Sequence, residues 1–159
     1  MKQGNRLEVS IGDQRLDLFN GGRWLAGYPV STAANGVGFV EGSYCTPVGR
    51  FRVIEKIGEG EPGGTVFRAR VPDGIWQPGD ATEEDLVLTR ILRLDGLDPA
   101  NANTLQRCIY IHGTNREELI GSPASHGCIR LRNADMLELF AQVPQDAEVL
   151  IHPPHGVTQ

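Results

Sequence analysis

Apolar and polar residues alternate along the opening of the chain. Residues 6–11 read Arg-Leu-Glu-Val-Ser-Ile and residues 15–19 read Arg-Leu-Asp-Leu-Phe, with Gly12-Asp13 between them. Period-two alternation interrupted by a turn dipeptide predicts a β-hairpin with one buried face. Asn20-Gly21-Gly22 is a second turn signal, and residues 24–31 supply a third strand, so the chain begins as a meander. Residues 33–46 form a glycine-spaced loop ending in Thr46-Pro47-Val48-Gly49-Arg50-Phe51. Pro47 sets φ at the loop exit and Gly49 permits a tight turn into a strand over 51–57. Alternation returns at 65–71. Residues 72–84 are polar and irregular, the kind of loop that shapes a cleft; Trp76 inside it reads as a partly buried packing residue.

Residues 86–94 predict a strand with a bulge near Thr89-Arg90, a short helix being the alternative. A loop over 95–104 leads to the β-type run Cys108-Ile109-Tyr110-Ile111, which ends on His112. Asn133 is a strong N-cap type ahead of a helical repeat reaching Gln142, with Asp135 suited to the first turn and Met136, Leu137, Phe140 and Ala141 on the apolar face. Pro144 prevents continuation, and 148–151 is a last strand. The expectation is a mainly β, mostly antiparallel, sandwich-like fold with one clear α-helix, as a single domain over 1–159. Its core spans about 5–152, and 153–159 form a frayed tail with His152 and His155 at the surface.

Composition narrows the partners. The 159 residues are 40% hydrophobic and 22% charged, enough for a real core. The net charge of −5, with no Lys/Arg run, argues against nucleic acid. No apolar stretch is long enough to span a membrane. The 20 Gly and 10 Pro favour turns over helices. The polar start, residues 1–6, lacks the apolar stretch of a secretory signal, and three cysteines is an odd number. The expectation is a cytoplasmic protein, with the periplasm as the alternative if an export signal has been removed. Cys108 reads as a small buried hydrophobe in its strand, and Cys45 as a bystander thiol in its loop.

The chemistry concentrates in residues 108–133, which hold two of the four histidines and two of the three cysteines. His112 stands at a strand end, and Ser125-His126-Gly127-Cys128 follows. A thiol is a nucleophile as thiolate, and histidine is the side chain suited to take its proton near neutral pH. Cys128 is the candidate nucleophile and His112 the base. The Gly113 carbonyl is the acceptor that sets the base's tautomer, since no Asp or Asn directly follows. His126 orients the thiol or the loop. The N–H groups of Gly127 and Cys128 are oxyanion donors. His112, His126 and Cys128 also make three ligands for a zinc ion, although no CxxC pair or HExxH accompanies them. No GxGxxG or P-loop is present, and neither a metal nor an organic cofactor is expected.

These residues carry a resemblance. Ile111-His112-Gly113-Thr114-Asn115 followed by Ser125-His126-Gly127-Cys128-Ile129-Arg130-Leu131 resembles the catalytic domain of the L,D-transpeptidases, the YkuD-type family, and the Thr46-Pro47-Val48-Gly49-Arg50-Phe51 run looks like a further element of it. The likeness covers nearly the whole chain. It implies attack by Cys128 on the bond between the L centre of a diamino acid and a terminal D-residue in a peptidoglycan tetrapeptide or muropeptide, through a thioester. Water as acceptor makes an L,D-carboxypeptidase of murein recycling, which the expected location favours. An amine acceptor makes a 3-3 cross-linking or D-amino-acid-exchanging L,D-transpeptidase. By position Cys128 is nucleophile, His112 base and Gly113 orienter, with His126 and Gly127 building the loop. Arg130 braces the site or meets a substrate carboxylate, and Ser125 stands with it on the substrate side. A catalytically idle wall-peptide binding module is the reading from another class; it would form no covalent adduct.

Overall fold

The computed structural model describes residues 4–155. The alternating segments become β1 (Asn5–Ser10), β2 (Arg15–Asn20) and β3 (Arg23–Pro29), with Leu7, Val9, Leu16 and Leu18 fully buried on one face. There follow β4 (Gly49–Ile57), β5 (Thr65–Arg68), β6 (Val71–Ile75), β7 (Val87–Gly96), β8 (Tyr110–Gly113), β9 (Ile129–Leu131), α1 (Asn133–Gln142) and β10 (Glu148–His152). Among the described residues α1 is the one α-helix, as the periodicity indicates. The ten strands hydrogen-bond into one sheet, in the order β3-β2-β1-β10-β4-β7-β5-β6, with β8 on β7 and β9 on β8. Pairing is mostly antiparallel, but β1 with β10 and β8 with β9 run parallel. Met136, Leu139 and Phe140 of α1 share a core with Leu92, Leu94, Ile111, Ile129 and Leu131.

Several local expectations change. The strand expected over 65–71 folds back on itself as the β5–β6 hairpin, because Ala69 and Arg70 both take positive φ, 49° and 66°. Two consecutive left-handed residues make the turn a hairpin needs, and neither is a Gly or Asn that would have announced it. The loop expected over 72–84 is shortened accordingly; Trp76 packs partly buried against Val66, Leu86 and Leu88, as read. The bulge in β7 falls where expected: the register with β8 shifts between Leu88 and Ile91, and Thr89 has φ 78°. Cys108 is not a buried strand residue. It sits in a turn before β8, at φ 57°, with its thiol exposed. On α1 the buried set is Met136, Leu139 and Phe140, while Leu137 and Ala141 face solvent, because the helix packs on the sheet through a stripe rotated from the expected one. Residues 153–155 follow β10 without strand or helix; residues 1–3 and 156–159 of the expected polar start and tail lie outside the described residues.

Asn133 is the first helical residue rather than the N-cap, which is Arg132. Its side chain is a clasp instead. Nδ2 donates to Thr114 O at 2.8 Å and to Glu117 Oε2 at 3.2 Å, and Oδ1 accepts from Thr89 Oγ1 at 2.6 Å. It thereby ties the start of α1 to the β7 bulge and to the segment leaving β8. Gly113 makes this approach possible: a Cβ there would lie 2.3 Å from Asn133 Oδ1 and 2.8 Å from Leu88 O.

Replacing Asn133 with Ala takes away the acceptor of the Thr89 hydroxyl proton, while Gly64 N–H still donates to its oxygen, and leaves the Thr114 carbonyl without its side-chain donor. The expected loss is about 1–3 kcal/mol, read as a lower urea midpoint with an unchanged m-value. Gly113→Ala is expected to cost more, because backbone must move.

Candidate active site

The site is built on the parallel pairing of β8 with β9. Its register sets His112 opposite Arg130, which places both side chains on one sheet face, and Cys128, two residues before Arg130, shares that face. The cleft above them has a volume of about 200 Å³ and is lined by Asp85, Val87, His112, Ser125, His126, Cys128 and Arg130. All the site residues expected from the sequence are thus brought together, with Gly113 and Gly127 in the backbone behind them.

The loop before Cys128 is held from inside and outside. Ser125 is buried, and its hydroxyl donates to Cys128 O at 2.6 Å and accepts from Gly127 N–H at 3.2 Å. The hydroxyl is thereby committed to the loop although the residue lines the cleft. Ala124 and Ser125 N–H both donate to Thr32 O, and Thr46 Oγ1 donates to Gly127 O at 2.9 Å while accepting from Ala33 N–H. This gives the Thr46-Pro47-Val48-Gly49 run its place: it clamps the loop carrying the thiol. Gly127 is required on two grounds, a φ of 122° and a position where a Cβ would sit 3.1 Å from Cys45 O. Cys45 accordingly borders the loop through its backbone, and Arg107 holds its carbonyl at 2.7 Å.

His112 is buried, and its Nδ1 donates to the Gly113 carbonyl. Burial lowers its pKa from the ordinary histidine value, opposed by that carbonyl and by the Asp85 carboxylate. The Cys128 thiol donates to Cys108 O at 3.3 Å and accepts from Tyr110 N–H at 3.3 Å. The residue keeps some solvent contact, but the protein around the sulfur is dense enough that burial pushes the thiol up to about 12, against the pull of the Tyr110 N–H. Burial therefore disfavours the charged forms of both groups, thiolate and imidazolium alike.

Arg130 is 2% exposed and pairs through Nη1 with Asp85 Oδ1 at 2.8 Å, while Nη2 reaches Ser31 Oγ at 3.4 Å. Asp85 Oδ2 lies 3.2 Å from Nδ1 of the exposed His126, whose ring meets Tyr44 edge-on at 5.5 Å. Sequence reasoning missed Asp85, Ser31 and Tyr44. Asp85 closes the run Glu83-Glu84-Asp85, and nothing local separates it from two solvated neighbours. Tyr110 N–H and Cys108 O were missed because backbone groups carry no residue signal. Among the described residues no group of three His, Cys, Asp or Glu side chains is arranged to hold a metal ion, so His112, His126 and Cys128 do not form the zinc cluster considered above. No described helix is long and apolar enough to cross a membrane.

Comparison with known proteins bears on the family and the fold. The family profile of the YkuD L,D-transpeptidase catalytic domain matches residues 4–151. A putative L,D-transpeptidase of Bacillus subtilis, YqjB, is 51% identical over 45 residues, 28% of this chain and 26% of that protein. The probable L,D-transpeptidase YbiS of Escherichia coli is 51% identical over 43 residues, 27% of this chain and 14% of that protein. The matched stretch is thus a small part of these relatives' length. In three dimensions, an L,D-transpeptidase from Xylanimonas cellulosilytica superposes with a TM-score of 0.60 at 20% identity, over 96% of this chain and 62% of that one. The catalytic domain of an E. faecium L,D-transpeptidase acylated by ertapenem superposes at 0.57 and 20% identity, over 93% and 96%. The fold is shared at these identities, and with the profile match over nearly its whole length the chain belongs to the YkuD-type L,D-transpeptidase catalytic-domain family.

Proposed function

We propose that this protein is a cysteine-dependent acyl transferase acting on peptidoglycan stem peptides, and that water is its main acceptor. The observation that carries the catalytic part is the shared cleft of Cys128 and a buried, carbonyl-oriented His112. With Nδ1–H given to Gly113 O, the free lone pair of His112 is on Nε2. A neutral thiol and a neutral imidazole fit general base catalysis: the proton leaves Cys128 as the sulfur attacks the carbonyl between the L centre of the diamino acid and the terminal D-Ala. His112 then returns that proton to the leaving D-Ala amine, leaving a thioester. The N–H groups of Gly127 and Cys128 are the oxyanion donors; that of Gly127 rests on Ser125 Oγ at 3.2 Å, a long bond that a developing oxyanion outcompetes.

Water as acceptor, and the cytoplasmic setting that goes with murein recycling, draw support from three free thiols, which suit a reducing compartment. The second reading, an amine acceptor, is favoured by the transpeptidase chemistry named for the family. Incubation with a tetrapeptide stem and mass analysis of products tests both. Tripeptide plus free D-Ala supports hydrolysis. Cross-linked dimer, or exchange with added D-amino acid, replaces it with the amine reading. A peptide bound without any covalent adduct leaves only a binding module.

Cys128→Ala is expected to keep its circular dichroism and lose turnover. A carbapenem is expected to add one adduct to the native chain, mapping to the Cys128 peptide, and none to the variant, by intact-protein mass spectrometry. His112→Ala is expected to slow acylation about 10²–10⁴-fold, measured by single-turnover release of D-Ala.

Stability should respond to pH on both sides. An unfolded thiol titrates near about 8.5, whereas Cys128 in the fold holds its proton up to about 12. Above that lower value the unfolded chain binds fewer protons, so stability falls as pH rises. For His112 the folded value is depressed; below about 6.5 the unfolded chain binds more protons, and stability falls as pH drops. Urea midpoints across pH should show the alkaline fall reduced in Cys128→Ala and the acid fall reduced in His112→Gln.

A further inference from the structure

The mechanism above gives His126 and Asp85 no step, yet their geometry is that of an oriented base. Asp85 is held in place by the buried Arg130 through Oδ1 at 2.8 Å, and turns Oδ2 to His126 Nδ1 at 3.2 Å. A carboxylate at Nδ1 draws that nitrogen's proton, so in the neutral ring Nε2 carries the free lone pair. The site thus contains two imidazoles directed through Nδ1. His112 is buried and backed by a carbonyl; His126 is exposed and backed by a carboxylate.

Their positions differ in a way that matches the two half-reactions. His112 lies in the wall of the cleft that holds the thiol. His126 lines that cleft and also a neighbouring one of about 270 Å³, where Glu41, Tyr44, Gln106 and Arg107 stand around it. It therefore borders both cavities, with its ring between Asp85 and the edge of Tyr44.

We propose that His126, positioned by Asp85, is the base that activates the acceptor in deacylation, while His112 serves acylation. This rests on the cysteine reading above. In the step, His126 Nε2 takes a proton from water as the water oxygen bonds to the thioester carbonyl carbon. Collapse of the tetrahedral intermediate breaks the carbon–sulfur bond and releases the carboxylic acid. The Cys128 thiolate takes up the proton that His126 has gained, restoring thiol and neutral imidazole. An amine acceptor substitutes for water with the same proton balance. Asp85 is a positioning residue and touches no reacting atom.

The test separates the half-reactions. Enzyme is mixed with the tetrapeptide stem, D-Ala release in the first turnover is timed, free peptide is removed by rapid gel filtration, and the decay of the tripeptidyl adduct is followed by intact mass. His126→Ala should form adduct at nearly the native rate and keep it about 10²-fold longer. Asp85→Asn should lengthen adduct lifetime by a smaller factor, and because the Asp85 charge also acts on His112 and Arg130, the readout for this variant is a larger slowing of adduct decay than of first-turnover release. The exposure of His126 makes its variant a safe folding case, and urea midpoints check that of Asp85→Asn. An unchanged adduct lifetime in His126→Ala, or equal slowing of adduct formation and decay, overturns the proposal. Absence of an adduct in both the native enzyme and His126→Ala, with no D-Ala released in the first turnover, overturns the cysteine reading itself, and this step with it.

Discussion

The parallel ladder between β8 and β9 is the constraint on which the site depends. Its register puts His112 across from Arg130, and two-residue periodicity brings Cys128 to the same face. Parallel strands need a crossover rather than a tight turn. Here the crossover is residues 114–128, and it must return the chain to β9 with the thiol at its entrance. The glycines at 113 and 127, the Asn133 clasp and the Thr46 clamp all serve that return. Each permits or holds a close backbone approach at one end of the crossover.

Burial does two opposing things to this chemistry. It sharpens every interaction in the cleft, since charges and dipoles act more strongly where water is excluded. It also disfavours the charged forms that a thiolate–imidazolium pair would require. Arg130 is the one charge the site buries almost completely, and it is matched by the Asp85 carboxylate rather than left alone. A buried cation without such a partner would be costly. Asp85 therefore joins the structural requirement of Arg130 to the orientation of His126, and one carboxylate is shared between the framework and the solvent-facing side of the cleft.

Much of this molecule is legible along the chain. The meander of β1 to β3, the bulge in β7, the strand-end His112 and the Ser125-His126-Gly127-Cys128 loop are all local patterns. Side chains at spacing two or at a motif spacing meet their environment through neighbouring backbone, so sequence distance stands in for space. The misreadings share a cause too. Cys108 looks like a strand residue because its neighbours are apolar, but the chain turns there with positive φ before β8 begins. Asn133 has the chemistry of a cap, but three partners from β7 and from the segment after β8 engage its amide first. On α1 the sheet selects which apolar residues face inward, and it takes Leu139 in place of Leu137.

The sequence by itself determined the mainly β class, most of the strand segments along the chain and the candidate thiol and imidazoles, because those follow from periodicity and side-chain chemistry within short spans; the β5–β6 turn, the strand β9 and the order of strands in the sheet did not show in it. Tertiary structure decided the rest. Only packing could pair Asp85 with Arg130 across 45 positions, turn the thiol toward Cys108 O and Tyr110 N–H, and bring Thr46 under Gly127 across 81. Those contacts join residues far apart in the chain, and their partners are in part backbone groups that every residue possesses, so no local pattern marks them. The ionisation of the site belongs to the same category: a thiol and an imidazole have ordinary affinities for protons until the fold withdraws water from around them.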